Sequence, residues 1–172
     1  LPTRNRDLWT VGGRIVRAPA KKAWDAAGYP EQFDTFQDLM KFADQIKASG
    51  TTPWCMGWGS DQATGWVGTD WVEQIMLVTA VPDVYDQWVN HQIPFNDKSV
   101  VNSLDVFAEI AKAPGEVFGG EKAIINTPFA EASLPMFAKG GPKCWMERQG
   151  NFAIGFFPEE IRNNLDQEVG VF

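Results

Sequence analysis

The stretch TGWVGTDWVEQ, Thr64 to Gln74, sets two tryptophans five positions apart around a glycine, at the point where a helix begins. Thr69 is in place to cap that helix, and Asp70 and Glu73 in its first turn suit the positive end of the helix dipole. The body WVEQIMLVTA is apolar nearly all round, which marks a helix buried in the middle of a domain. Trp54, Trp58, Trp66 and Trp71 all fall within eighteen residues. The fold and the function both turn on which of these indoles fill a core and which face outward.

Around this segment the pattern is mostly helical. PAKKAWDAAG begins at Pro19 and stops at Gly28. DTFQDLMKFADQIKASG has Thr35 as cap with Asp38 three residues on, a stripe of Phe36, Leu39, Met40, Ala43 and Ile46, and Gly50 as terminator. Pro82 opens a short helix over PDVYDQWVN. Asn96 or Asp97 caps a long one carrying Val100, Leu104, Phe107 and Ala111 on one face. A further helix is expected from Thr127-Pro128 to Gly140, and a short one after Pro158. Strands are few: TTPWCMGWGS, PKCWMERQGNF and the terminal EVGVF. Residues 1–18 read as an atypical irregular segment, and 19–172 as one domain, helix-rich and of the α/β class.

Composition narrows the function. A chain of 172 residues with a formal net charge of −7 has no basic surface for nucleic acid or anionic membrane, and a neutral partner suits it better. Aromatic residues make up 13%, with eight tryptophans against two tyrosines. No run of eighteen apolar residues exists. The opening LPTRNRDLWTVGGRIVRAPAKK lacks the apolar core of a signal peptide. The one histidine, His91, sits in a polar loop, and no metal-ligand spacing, phosphate loop or nucleophile elbow is present, so no cofactor, metal or catalytic residue is assigned. The carboxylates are too many for any pair to be nominated as a glycosidase dyad. Cys55 and Cys144 both fall on expected strands beside a tryptophan, and two readings stay open for them, a disulfide or two buried thiols.

Several segments together resemble the extracellular solute-binding proteins of sugar ABC transporters, family 1, of the α-glucoside-binding kind. They are TPWCMGW, GWVGTDWVEQIML, FND before a long helix, KAIINTPFAEA, KCWMERQGNFAIGFFP and the run from KKAWDAAG to TTPW, covering residues 19–172. The resemblance implies the C-terminal lobe of a periplasmic-binding-protein-like (type II) fold, which holds sugar in a cleft against a second lobe. It further implies an α-linked glucose oligosaccharide as ligand, importer membrane subunits as partners and a periplasmic or extracellular setting.

Carried over residue by residue, the resemblance puts Trp66 on the cleft as a stacking platform, Asp70 on sugar hydroxyls and Trp71 as the second indole. Phe152 stands at the family's aromatic position after the second strand, with Arg148 and Asn151 beside it. The residues themselves divide the tryptophans: Trp66 among glycines and polar residues suits an exposed platform, whereas Trp71, Trp54 and Trp58 suit core. For Arg148 a surface ion pair with Glu147 or Glu160 competes with a ligand role. A lone half-site should bind weakly or not at all. The alternative to sugar binding is a structural or protein-interaction module whose uncovered cleft face drives homodimer formation.

Overall fold

The computed structural model describes residues 14–17 and 20–171, with side chains from residue 23 onward. Four strands form one sheet in the order β2-β3-β1-β4: β1 Arg14–Arg17, β2 Thr52–Trp54, β3 Cys144–Gln149 and β4 Gly170–Val171. β3 runs parallel to β2 and antiparallel to β1, and β4 closes antiparallel on β1. Every residue of β3 is buried, so both faces of that strand are covered. Trp145 packs with Trp24 and Tyr29 on one side. On the other, Arg148 lies against Trp71.

Eight helices pack around the sheet among the described residues: α1 Ala20–Ala26, α2 Phe36–Ala48, α3 Trp66–Thr79, α4 Pro82–Val89, α5 Lys98–Ala111, α6 Glu121–Asn126, α7 Glu159–Arg162 and α8 Leu165–Glu168. In α2 the Thr35 hydroxyl accepts from the Asp38 backbone N–H at 3.1 Å and donates to its carboxylate at 2.7 Å, closing the first turn as the sequence predicts. Leu39, Phe42, Ala43 and Ile46 are its buried stripe. α3 packs on α5, where Val100, Ser103, Phe107, Ile110 and Ala111 are buried and Leu104 turns outward. Ser103 takes the inner place because its hydroxyl donates to the Ser99 carbonyl at 2.9 Å and needs no outside partner.

Four sequence expectations change. α3 begins at Trp66, a turn before Thr69, with Gly65 as N-cap in the left-handed region at φ 107°. Asp70 and Glu73 therefore sit beyond the first turn, where the dipole argument no longer applies. The cause is tertiary: the Gly65 N–H donates to the Trp58 carbonyl at 3.3 Å, and the Trp58 indole packs against Gly68, where a Cβ would meet the ring at 3.0 Å. The expected helix from Thr127 to Gly140 is instead two 3-10 turns, Phe129–Glu131 and Leu134–Phe137. Phe129 N–H is drawn to the Gly59 carbonyl at 2.9 Å, and Pro135 lacks the N–H a continuous helix would use. α6 is an addition, launched by Gly119 and Gly120, both at positive φ. Finally, Arg14–Arg17 belong to the sheet as β1; the remainder of the 1–18 segment lies outside the described residues.

Cys55 and Cys144 are joined as a disulfide, with Cα atoms 5.4 Å apart. The parallel register Thr52↔Cys144 and Trp54↔Met146, with Cys55 N–H donating to the Met146 carbonyl at 2.8 Å, brings the two side chains together.

Candidate functional site

The tryptophan cluster divides. Trp54 and Trp71 are core, their rings edge-to-face at 5.2 Å, and Trp58 is half-buried and stacked on Phe107 at 5.7 Å. Trp66, the first residue of α3, is also partly uncovered. Its ring meets Phe129 at 5.3 Å and Phe152 at 5.8 Å, and Phe156 joins them at 5.5 Å from Phe129 and 6.4 Å from Phe152. Phe152 is 46% exposed and Phe156 39%. Three separate chain segments thus build one aromatic surface.

Local chain geometry explains each ring. Gly65 turns the chain so that Trp66 opens the helix. The 3-10 turn Asn151–Phe156 follows β3 directly and carries both Phe152 and Phe156, whose rings lie 6.4 Å apart. The Phe152 ring folds back over Gly150, where a Cβ would come within 2.5 Å of it. Phe129 is pinned through its backbone to Gly59, and the Thr127–Pro128 carbonyls lie against Gly57. A Cβ at Gly57 would stand 2.8 Å from the Thr127 oxygen and 2.9 Å from the Pro128 oxygen. Since backbone cannot step aside as a side chain can, Gly57→Ala is expected to cost about 1–3 kcal/mol of stability, measured by denaturant unfolding. A variant as stable as the parent would show that the Phe129 segment is loosely held.

Charge lies along the same helix face. Trp66, Asp70 and Glu73 are spaced i, i+4, i+7 on α3, one stripe of its surface. Arg148 from β3 comes up beside them, only 4% exposed, with its guanidinium carbon 5.7 Å from the Trp71 ring centre. Its Nε and Nη1 are buried without a hydrogen-bond partner. Burial pushes the Arg148 pKa down, opposed by the charges of Asp70 and Glu73. Burial likewise raises that of Asp70 against the pull of Arg148. Tyr85 of α4 donates to Glu73 at 3.2 Å.

Of the residues expected from sequence, Trp66 and Phe152 meet here with Asp70 one turn along α3 from Trp66, Arg148 lies instead against Trp71, and Asn151 lies exposed at the head of the Phe152 turn. Trp71 is corrected: at 2% exposure it is core and offers no face to a ligand, because Trp54, Phe107 and the Arg148 guanidinium cover it. Arg148 is not a surface ion pair; adjacent residues on a strand point to opposite faces, which separates it from Glu147. No cluster of three or more His, Cys, Asp or Glu is placed to hold a metal among the described residues.

No family model matches the chain. It is 46% identical over 170 residues to the osmoprotective compounds-binding protein GgtB of Synechocystis sp., covering 95% of this chain and 39% of GgtB. It is 40% identical over 136 residues to the alpha-glucosides-binding periplasmic protein AglE of Rhizobium meliloti, covering 79% of this chain and 29% of AglE. An uncharacterized ABC transporter extracellular-binding protein of Pyrococcus horikoshii matches at 26% over 80 residues. The chain is homologous to part of the ABC-transporter extracellular solute-binding proteins.

The solute-binding-protein likeness extends to the fold. A chitin oligosaccharide binding protein superposes with a TM-score of 0.71 at 17% identity, over 94% of this chain and 38% of that one. The solute receptor AcbH, whose description gives an exclusive preference for b-D-galactopyranose, superposes at 0.68 and 14%, over 94% and 36%. The structure is thus a helix-rich α/β lobe of solute-binding-protein type, and the chain spans about two fifths or less of the length of these relatives. Within the lobe, sequence reading missed Phe129, Phe156, Glu73 and Tyr85. The i, i+4 pair in NFAIGF and the i, i+7 step from Trp66 to Glu73 were legible as spacings, but Phe129 and Tyr85 arrive through tertiary contacts alone.

Proposed function

We propose that this lobe forms one wall of a carbohydrate site in the solute-binding protein of an ABC importer, with α-linked glucosides as the ligand class. The observation that carries the reading is the partly exposed aromatic surface of Trp66, Phe129, Phe152 and Phe156, with Asp70 one turn along α3 from Trp66. A pyranose has an apolar C–H face and a rim of hydroxyls, so flat rings beside a carboxylate match both halves of it. AglE is named for alpha-glucosides, which supports this ligand class, and GgtB for osmoprotective compounds. The buried disulfide suits an oxidising compartment such as the periplasm. Capture proceeds by closure against a second lobe, with no covalent step, and importer membrane subunits receive the loaded protein.

One wall alone stacks and desolvates each sugar on one side only, so millimolar or weaker binding is expected, about −4 kcal/mol at most. Tryptophan fluorescence of the chain, titrated with maltose, trehalose and sucrose to tens of millimolar, should show a saturable change that Trp66→Ala abolishes. An unchanged signal in the parent for every sugar, or the same change in the variant, overturns the reading. A mass by light scattering that doubles with concentration and is blocked by Phe152→Ser would instead favour the self-associating module, since Phe152, Ile154 and Phe156 are all exposed.

A further inference from the structure

We propose that the outer face of α5 is the interface of a two-fold dimer, in which a second copy of this chain lies antiparallel along the helix and pairs Asp105 with Lys112 twice. The interface goes beyond the carbohydrate reading and uses none of the aromatic surface.

The inner face of α5 packs on α3, and its outer face is left uncovered. At about 100° per residue, Val101, Asp105, Ala108 and Lys112 fall within about 60° of one another and form one seam along the helix. Ala108 is half-buried and the other three are exposed. Beside the seam, between α5 and α6, lies an open cavity of about 190 Å³. It is lined by Trp58 and the buried Phe107, Ala111 and Ile124, with Leu104 and Ile125 as its exposed apolar members. Val101 is 40% exposed, Leu104 37% and Ile125 57%. An apolar groove with exposed apolar side chains beside it is the usual form of an interaction surface.

The charges on the seam name the occupant. Asp105 and Lys112 are seven positions apart, about 10.5 Å along the axis, too far to pair within one helix. Neither is in an ion pair among the described residues. They flank the midpoint of the seam, Ala108–Glu109, symmetrically and with opposite sign. When a helix packs antiparallel on a copy of itself about a two-fold axis, each residue meets the one equally far beyond the axis. Asp105 then faces the partner's Lys112, and Lys112 the partner's Asp105. Ala108 at the axis lets the two backbones approach. The same operation carries Leu104 to the level of the partner's Lys112, where the partner's Ala111 and Lys112 line the cavity. Glu109 lies off the seam, on the side away from Leu104, so its charge does not enter. An unrelated partner would need an anion and a cation at this one spacing, whereas a second copy supplies both by symmetry.

The test is sedimentation velocity of the whole chain across a concentration series into the millimolar range. The mass should rise from 19.2 kDa toward twice that value. Asp105→Lys or Lys112→Asp alone sets like charges opposite one another at both ends of the seam and should weaken the dimer about tenfold or more. The double variant Asp105→Lys, Lys112→Asp restores both pairs in reversed order and should return the affinity to within about threefold of the parent. Both positions are exposed, and a dimer in the double variant shows that each single change cost pairing and not folding. Ala108→Glu, which brings two carboxylates together at the axis, should leave the chain monomeric. A parent that stays monomeric throughout, a dimer indifferent to either single swap, or a loss that the double swap does not restore overturns the inference. So does a dimer that Phe152→Ser abolishes, which assigns self-association to the aromatic surface instead. The sugar titrations stand apart from all of these outcomes, so the carbohydrate reading can fail or hold independently.

Discussion

Removing the Cys55–Cys144 bridge is expected to lower stability by about 4–5 kcal/mol, the loop-closure entropy of its 89-residue separation. That is a large share of a typical domain's total stability. The closed loop contains α3 to α6, and so carries Trp66, Asp70, Glu73, Tyr85 and Phe129. Arg148, Phe152 and Phe156 lie just past its other end. The bridge therefore ties the two halves of the candidate site at the point where β2 and β3 run side by side. Guanidinium unfolding of the parent against a Cys55→Ala, Cys144→Ala double variant measures the difference. Coincident transitions would mean that strand pairing and core burial hold the two segments by themselves, and that the bridge adds nothing to the native balance.

Glu147→Gln is expected to stabilise the chain at neutral pH by about 3–4 kcal/mol. Glu147 is 3% exposed on the central strand, its Oε2 has no partner, and burial raises its pKa to about 8 from 4.5. Between those two values the folded chain holds a proton that the unfolded chain releases. The Glu147 contribution to folding stability is therefore fully present below about pH 4.5 and declines as the pH rises toward about 8. At pH 7 the loss is roughly 2.5 pH units at about 1.4 kcal/mol each. Glutamine keeps the neutral shape and removes the titration. Denaturant unfolding at pH 4.5 and pH 8 should show the variant's advantage growing across that window. Parallel curves for the two proteins would show that Glu147 finds a partner for its charge in solution.

Both effects concern β3, and the strand illustrates how far local reading goes. The alternation of CWMERQ marks it as a strand, but nothing in six residues says that both faces will be covered. An ordinary reading of Glu147 and Arg148 places them at the surface, paired with each other or with Glu160. The sheet order sets β3 inside, between β2 and β1, with helices over each face, and so buries both charges away from one another. The disulfide is similar: spacing along the chain leaves bridge and free thiols equally open, and the parallel register of β2 and β3 closes the question.

Signals that act within a few residues were legible in the sequence alone. The Thr35 cap, the apolar stripe and Gly50 define α2; Asn96-Asp97 and Pro82 mark the starts of α5 and α4, the structure choosing Asp97 as the α5 cap; the near-continuous apolar face of α3 announces a central helix. The run of motifs from KKAWDAAG to GFFP carried the family resemblance. Tertiary structure alone decided the start of α3, where Trp58 packing against Gly68 adds a turn that helix propensity disfavours. It also decided which indoles reach the surface. Trp66 and Trp71 are five positions apart on one helix, some 500° of rotation at 100° per residue, which sets them about 140° apart around its axis. Sequence thus says that they point different ways, but only the segments that cover one side, Trp54, Phe107 and Arg148, and flank the other, Phe129 and Phe152, determine which of the two is core.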